Sequence, residues 1–424
     1  MSTNLPVSLE MLDHSQASDT GARNVLSSQI YLDPSLYDGA TYYFEVDAYN
    51  SNADTDYYIQ LYDATATANL LTDNAGSGLL LPKNIAAYTR YRSLEFTPNA
   101  GKHVLYLTLP ATAVASNLRI GSARIIVVQV GATKTRLQFP LLHYSSSTTT
   151  SDTYTDRRAA ITYAQNAPYR HHWFLKNSAV FGDLIAGTPW TFEAVLNCDT
   201  AAHTGYANLR NFTDSADVTG SELSITGTTI TITDVALAND AENFHDGDII
   251  SDREKSDNAS YNGQIFRAAL YVTLENLSKG EVFCRVGCTE TATTAAQRAL
   301  QRFKLELNSY SGPICYFECA GLCADDAIAN YLCDDATDDT GTGGWSDIAG
   351  INWNSATKAR YRSGALALTN DYRYVHRTLA TTGTHDFCSP FIVVAFTGST
   401  AGTCPLNLLH TRIIAKGVMG PWPI

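Results

Sequence analysis

An alternating run of apolar and polar residues occurs three times along the chain. The copies span 41–49, 189–196 and 314–320, and in each copy the aromatic block ends in a Phe-Glu pair: Phe44-Glu45, Phe192-Glu193 and Phe317-Glu318. Alternation of this kind is typical of a β-strand whose two faces meet different surroundings. We therefore interpret the three runs as one strand that recurs in three copies of a module.

An arginine follows each Phe-Glu pair and extends the repeat. Arg92 lies 48 residues and Arg362 45 residues after the phenylalanine of its copy, and each belongs to an Arg-Tyr-Arg-Ser sequence. In the second copy we align Arg267, which lies 75 residues after its phenylalanine. The longer interval indicates an insertion in that copy, which we place at 213–262.

The intervening sequence predicts short strands separated by turns. Between residues 29 and 144, seven or eight apolar runs alternate with Gly-, Asn- and Pro-containing turns. Such spacing favours a β-sandwich, most simply a jelly roll. We predict an all-β chain with an N-terminal arm (1–28), module 1 (29–144), a Ser/Thr-rich linker (145–160), module 2 (161–308), module 3 (309–396) and a C-terminal tail (397–424).

Composition narrows the classes of partner. The net charge of −13 and the pI near 5.1 argue against nucleic acid or an anionic membrane as a ligand. The sequence lacks an apolar run long enough to span a bilayer, and residues 1–7 lack the basic and apolar regions of a conventional signal peptide. We expect a protein that is not exported by that route.

Cysteines are absent from the first 197 residues of the chain. All nine lie between Cys198 and Cys404, and Cys315, Cys319 and Cys323 lie at intervals of four in the opening strand predicted for the third copy. Residues four apart in a strand share a face but are about 13 Å apart, too far for a disulfide between neighbours. We interpret them as small core-facing residues, with cross-strand disulfides as the open alternative.

The recurrent acidic and basic residues are interpreted as structural. No catalytic constellation emerges from the sequence, so we predict that the protein is not an enzyme and needs no cofactor. Instead, each glutamate is expected to pair with the arginine of its own module. The predicted pairs are Glu45 with Arg92, Glu193 with Arg267, and Glu318 with Arg362.

Two further kinds of site are considered. Oxygen-rich acidic loops suit calcium, although neither follows the EF-hand pattern; their candidate ligands are Asp246, Asp248, Asp334, Asp335, Asp338 and Asp339. Aromatic side chains on strands could instead form platforms for sugar rings. The candidates for glycan binding are Tyr43, Tyr57, Trp190 and Trp345.

The tandem sandwich pattern of 29–396, with its flanking arms, resembles the jelly-roll proteins of phage virions, of the decoration, tail or fibre type. The resemblance implies a structural protein of a bacteriophage capsid, tail or baseplate, assembled in the host cytoplasm, whose partners are other copies of itself and other virion proteins. A tandem carbohydrate-binding protein is the first alternative. An extracellular filament or surface-layer subunit is the second.

Overall fold

A computed structural model gives the structure of the chain for the following residues: 4–12, 23–24, 28–109, 118–130, 133–149, 153–154, 173–174, 183–184, 187–211, 214–238, 244, 249–275, 280–285, 290–292, 302–304, 307, 313–323, 328–334, 346–353, 359–369, 373–380, 385–387 and 391–396. These residues are almost entirely β-strand. They fall into two compact units, one holding the described residues up to Gln138 and the other those from Phe139 onward. None of the helices in these ranges has the length and apolar character needed to cross a membrane.

The first unit contains ten strands within its described part. They are β1 (Asn4–Leu12), β2 (Arg23–Asn24), β3 (Ile30–Leu32), β4 (Ala40–Asn50), β5 (Tyr57–Asp63), β6 (Ala68–Asn69), β7 (Leu79–Leu81), β8 (Ile85–Phe96), β9 (His103–Leu109) and β10 (Leu118–Val130). A 3-10 turn at Pro34–Leu36 and a helical turn at Asp73–Gly76 interrupt them.

The order of these strands within their sheets is that of a jelly roll. One sheet runs β1-β10-β4-β8, and the other runs β2-β9-β5-β6, with β3 also paired to β9 and β7 to β5. If the eight positions of a jelly roll are lettered B to I along the chain, these are the B-I-D-G and C-H-E-F sheets. The glutamate of the first Phe-Glu pair lies on the D strand, β4.

A second jelly roll follows, and its first strand begins in the first unit and continues into the second. Its strands are β11 (Lys134–Thr149), β12 (Trp173–Phe174), β13 (Asp183–Leu184), β14 (Trp190–Cys198), β15 (Thr204–Asn211), β16 (Ala216–Asp217), β17 (Leu223–Thr226), β18 (Thr231–Leu237), β19 (Ile249–Ser256) and β20 (Gly263–Glu275). The sheets run β11-β20-β14-β18 and β12-β19-β15-β16, which repeats the B-I-D-G and C-H-E-F orders.

A third jelly roll completes the second unit. Its strands are β21 (Gly280–Arg285), β22 (Glu290–Ala292), β23 (Arg302–Lys304), β24 (Ile314–Cys323), β25 (Ile328–Asp334), β26 (Ser346–Trp353), β27 (Ala359–Arg362), β28 (Arg373–Ala380), β29 (His385–Phe387) and β30 (Phe391–Phe396). β21, β30, β24 and β27 supply B-I-D-G, β23, β28, β25 and β26 supply C-H-E-F, and β22 with β29 extends the first sheet. The all-β, tandem jelly-roll fold class is confirmed.

The pairing of the D strand with the I strand gives equivalent positions at which the lengths of the three copies can be compared. Phe44 is opposite Ile125, Phe192 opposite Leu270 and Phe317 opposite Ile392, so the intervals are 81, 78 and 75 residues. The second copy is thus no longer than the first, and the interpretation of 213–262 as an insertion is wrong. That segment contains β16 to β19, the counterparts of β6 to β9.

The N-terminal segment is only partly an arm. Residues of β1 pair with β10 from Asn4↔Val130 to Leu12↔Ala123, and Val7, Leu9 and Met11 are buried in the core. Alternation of these three apolar residues follows the period of a strand with one face inward. The C-terminal tail, 397–424, lies outside the described residues.

Two other segments pair differently from the expectation. β11 continues through Thr149, so the first part of the predicted linker is strand. β21 pairs with β30 rather than with the neighbouring β20, and β23 pairs with β28. The strands at 280–304, which the predicted bounds of module 2 (161–308) include, therefore supply the B and C strands of the third jelly roll.

Candidate functional site

The carboxylate of Glu45 is the centre of a buried ionic cluster on the first D strand. Arg92 donates from Nε to Glu45 Oε2 at 2.8 Å, and Arg90 Nη2 is 2.7 Å from the same oxygen. Arg124 binds the other oxygen, with Nε at 2.6 Å and Nη2 at 2.5 Å. The side chain of Glu45 is fully buried although it lies on the face opposite the core. Glu45 therefore lies beside Arg92, the partner expected from the sequence, and also beside Arg90 and Arg124.

Two more carboxylates balance the charge of this cluster. Glu10 on β1 lies 3.8 Å from Arg124, and Asp47 accepts a hydrogen bond from Ser122 at 3.2 Å. Burial alone would raise the pKa of Glu45, but Arg124, Arg90 and Arg92 outweigh it and hold that pKa well below its usual value. Burial raises the pKa of Asp47, although Arg124 and Arg90 act to lower it. The cluster therefore keeps the buried side chain of Glu45 ionised.

Ser93, the residue that follows Arg92, joins β8 to β4 by a hydrogen bond. Ser93 accepts a hydrogen bond from the backbone N–H of Phe44 at 2.9 Å and donates to the Leu94 carbonyl at 2.6 Å. The Arg92 guanidinium also lies over the Tyr43 ring, 6.0 Å from its centroid. Because β4 and β8 slip in register here, the hydroxyl replaces a backbone partner that the ladder no longer supplies.

The third jelly roll builds the same arrangement from equivalent residues. Arg362 donates from Nε to Glu318 Oε2 at 2.6 Å, and its guanidinium lies 4.9 Å from the Tyr316 ring centroid. Ser363 accepts from the Phe317 N–H at 2.9 Å. The repeated Tyr-Phe-Glu and Arg-Ser sequences therefore encode one structural clamp between the D and G strands.

We expect Ser93→Ala to weaken this clamp by about 1–3 kcal/mol, because the buried Phe44 N–H would lose its acceptor. Ser363→Ala should have a smaller effect, since Ser363 is only half-buried. Hydrogen–deuterium exchange of the peptides containing Phe44 and Phe317 measures both. Ser77→Ala, at an exposed serine, serves as the control. Unchanged exchange at Phe44 in Ser93→Ala would contradict the clamp.

The second jelly roll holds its glutamate differently. Arg267 Nη1 lies 2.5 Å from Glu193 Oε1, and the Tyr271 hydroxyl is 3.0 Å from that oxygen and 2.8 Å from Arg267 Nη2. All three side chains are buried. Burial would lower the pKa of Arg267, but Tyr271 and Glu193 raise it above its usual value. The ion pair between Arg267 and Glu193 is fully buried.

Arg267 is not the counterpart of Arg92 and Arg362. It lies on β20, the I strand, as Arg124 does in the first jelly roll, whereas Arg92 and Arg362 lie on G strands. On the second G strand, β18, the residue opposite Glu193 is Asp234. The alignment by residue type is therefore corrected, although the structure does bring Glu193 and Arg267 together.

Three of the four aromatic candidates for sugar binding lie inside the protein. Tyr43 packs with Ile126 and Val128, Tyr57 is 2% exposed, and Trp190 stacks on Phe244 with ring centroids 5.0 Å apart. A sugar platform needs an exposed ring face, so the structure does not support these three residues in that role. Trp345 lies outside the described residues.

The proposed calcium ligands cannot be brought together from the described structure. Only Asp334 falls within it, as the last residue of β25; Asp246, Asp248, Asp335, Asp338 and Asp339 lie outside. Within the described ranges, no group of three His, Cys, Asp or Glu side chains is arranged to hold a metal.

Of the cysteines in those ranges, Cys198, Cys315 and Cys319 are buried free thiols, and burial raises the pKa of Cys315 to about 11.

Several members of these clusters were not anticipated from the sequence. Arg124 is the one charged residue between Ile120 and Val130 on β10, and that isolation was a usable signal, because a charge in a buried strand requires a partner. Glu10, the one charged residue of β1, carried the same signal, whereas Tyr271 carried none. Their roles depend on which strands become neighbours.

Comparison with known proteins gives weak structural likenesses only. No protein family model and no curated protein sequence matches the chain. The chain is similar to the tandem CBM22-1 and CBM22-2 domains at the N-terminus of Xyn10C from Paenibacillus barcinonensis, with a TM-score of 0.18 and 8% identity over 60% of this chain and 97% of that one. It is also similar to a triple jelly-roll protein from the turret assembly of an archaeal virus, with a TM-score of 0.18 and 11% identity over 93% of this chain and 90% of that one. Such TM-scores are too low to say what this chain binds or assembles with.

Proposed function

We propose that this chain is a non-enzymatic structural protein of a virus particle, specifically a component of a bacteriophage capsid, tail or baseplate that associates with itself or decorates a larger particle. Its partners are further copies of the chain and other virion proteins. The observation that carries the proposal is the repetition of the complete B-I-D-G and C-H-E-F sheet orders three times along one chain.

The jelly roll is a recurrent fold of viral capsid proteins, and it is also a fold of lectins. The placement of the polar residues favours the structural use. Glu45, Glu193 and Glu318, the residues that recur between copies, are buried in ion pairs that join strands. The carboxylates of these three residues form the ion pairs that hold the strands of each sandwich together.

The carbohydrate-binding alternative was based on four aromatic residues, of which Trp345 lies outside the described residues. Tyr43, Tyr57 and Trp190 are buried, so their rings have no free face for a sugar. A glycan receptor that used the loops at the ends of the sandwiches would still share the fold. The test below therefore includes a glycan arm.

Negative-stain electron microscopy of the purified full chain tests the proposal. We expect rings, sheets, tubes or filaments of regular spacing, whose abundance grows with protein concentration. A glycan array on the same preparation is the counterpart measurement. A monomer at every concentration that binds defined glycans would contradict the structural proposal and favour the alternative.

A further inference from the structure

The free edge of β1 has a side chain in the place of a neighbouring strand. β1 is the outermost strand of its sheet, because β10 is its one partner in the described sheet order. Gln138 accepts a hydrogen bond from the Glu10 N–H at 2.6 Å and donates one to the Glu10 carbonyl at 3.2 Å. The amide of Gln138 thus makes the two bonds that a peptide group of an added strand would make.

These bonds define which backbone groups face outward. In an antiparallel strand, the N–H and C=O of one residue point to the same edge, and successive residues alternate between edges. The register from Asn4↔Val130 to Glu10↔Arg124 is uninterrupted. Since Glu10 bonds away from β10, Asn4, Pro6 and Ser8 also direct their backbone groups to the free edge.

Two of these four positions, Pro6 and Glu10, are closed to a new strand, and they alternate with Asn4 and Ser8. Pro6 has no N–H to donate, and proline is a common means of protecting an edge strand. Glu10 is occupied by Gln138, whose side chain is buried. Ser8, between them, keeps a backbone N–H and C=O that could pair with another strand.

We propose that Gln138 and Pro6 guard the free edge of β1 against the addition of a strand from a second copy of this chain. An unguarded edge would pair with the same edge of another molecule, because identical edges offer matching donors and acceptors. The inference does not depend on the proposed function. It states that association of this chain, in whatever assembly, does not use the edge of β1.

The chain offers a matched control for the test. Gln60 makes the same pair of bonds to a backbone, accepting from Leu71 N–H at 3.2 Å and donating to the Leu71 carbonyl at 2.9 Å. Leu71, however, lies in a loop between β6 and β7 rather than on a sheet edge. Gln60 also donates to the Gly76 carbonyl at 3.0 Å, so Gln60→Met removes the same two kinds of bond as Gln138→Met and one more. Only Gln138→Met removes such bonds at the edge of a sheet.

Analytical ultracentrifugation of the full chain over a range of concentrations measures the mass of the species that each variant forms. We expect Gln138→Met to form a species of twice the mass that the wild-type chain has at the same concentration, while Gln60→Met keeps the wild-type mass at each concentration. Adding Ser8→Pro to Gln138→Met removes the Ser8 N–H, so that two successive outward positions lack a donor, and should restore the wild-type mass. Circular dichroism verifies that each variant retains its strands.

Three outcomes would overturn the proposal. The first is a folded Gln138→Met protein with the wild-type mass at every concentration. The second is equal association of Gln60→Met, which would trace the effect to lost stability. The third is unfolding of Gln138→Met without a doubled species, which would give Gln138 the same internal role as Gln60.

Discussion

Glu45→Ala is expected to destabilise the first jelly roll by about 3–5 kcal/mol, the usual range for breaking a buried ion pair from one side. Three guanidinium groups, those of Arg90, Arg92 and Arg124, would lose the carboxylate that they share. Glu10 and Asp47 would remain, but Glu10 is 3.8 Å from Arg124 and makes no closer ion pair with it. Hydrogen–deuterium exchange of Ala40–Asn50, together with urea unfolding of the full chain, measures the loss.

Glu95→Ala provides the control for this measurement. Glu95 lies on β8 as Arg90 and Arg92 do, but its side chain is exposed. Its removal should change the unfolding free energy by no more than about 0.5 kcal/mol. Arg92→Ala should fall between the two, because Arg90 and Arg124 would still hold Glu45. A loss below about 1 kcal/mol in Glu45→Ala would show that the cluster does not stabilise the sandwich.

Arg267→Met is expected to have a comparable effect on the second jelly roll, about 3–5 kcal/mol, since Glu193 would lose its guanidinium partner and stay a buried carboxylate beside the Tyr271 hydroxyl. Glu193→Leu should cost a similar amount. The double variant should cost less than either single change, because no uncompensated charge remains. Exchange of Trp190–Cys198 and the fluorescence of Trp190 report on this site.

Lys255→Met tests whether any lost cation gives the same result. Lys255 lies on β19 and pairs with Glu222 at 3.1 Å, but both side chains are partly exposed. Its removal should cost no more than about 1 kcal/mol. If the double variant at Glu193 and Arg267 were as unstable as the two single variants added together, their pairing would not be the source of the stability.

The parts of the fold that the sequence predicted are those carried by local pattern. Aromatic alternation located the three D strands, and the recurrent Glu and Arg residues pointed to the pairs Glu45–Arg92 and Glu318–Arg362. Both partners in these pairs belong to a repeated motif, so matching the motif also matched the contact. The all-β class followed from the same alternation.

What the sequence did not predict depends on pairing between distant strands. β1 joins β10 across more than a hundred residues, and nothing within 4–12 identifies that partner. Arg267 was aligned by residue type, although its strand is the I strand of its copy. The burial of Tyr43 could not be inferred from alternation either, because β4 is buried on both faces from Tyr42 to Ala48.

The short intervals between jelly rolls determine where the chain can be divided into fragments. β10 ends at Val130 and β11 begins at Lys134, while β20 ends at Glu275 and β21 begins at Gly280. A cut within the Ser/Thr-rich segment at 145–160 would separate β11 from the sheet that it completes, and a cut near residue 308 would do the same to β21 and β23. Exchange of whole modules between related chains would preserve every sheet only at 131–133 and 276–279.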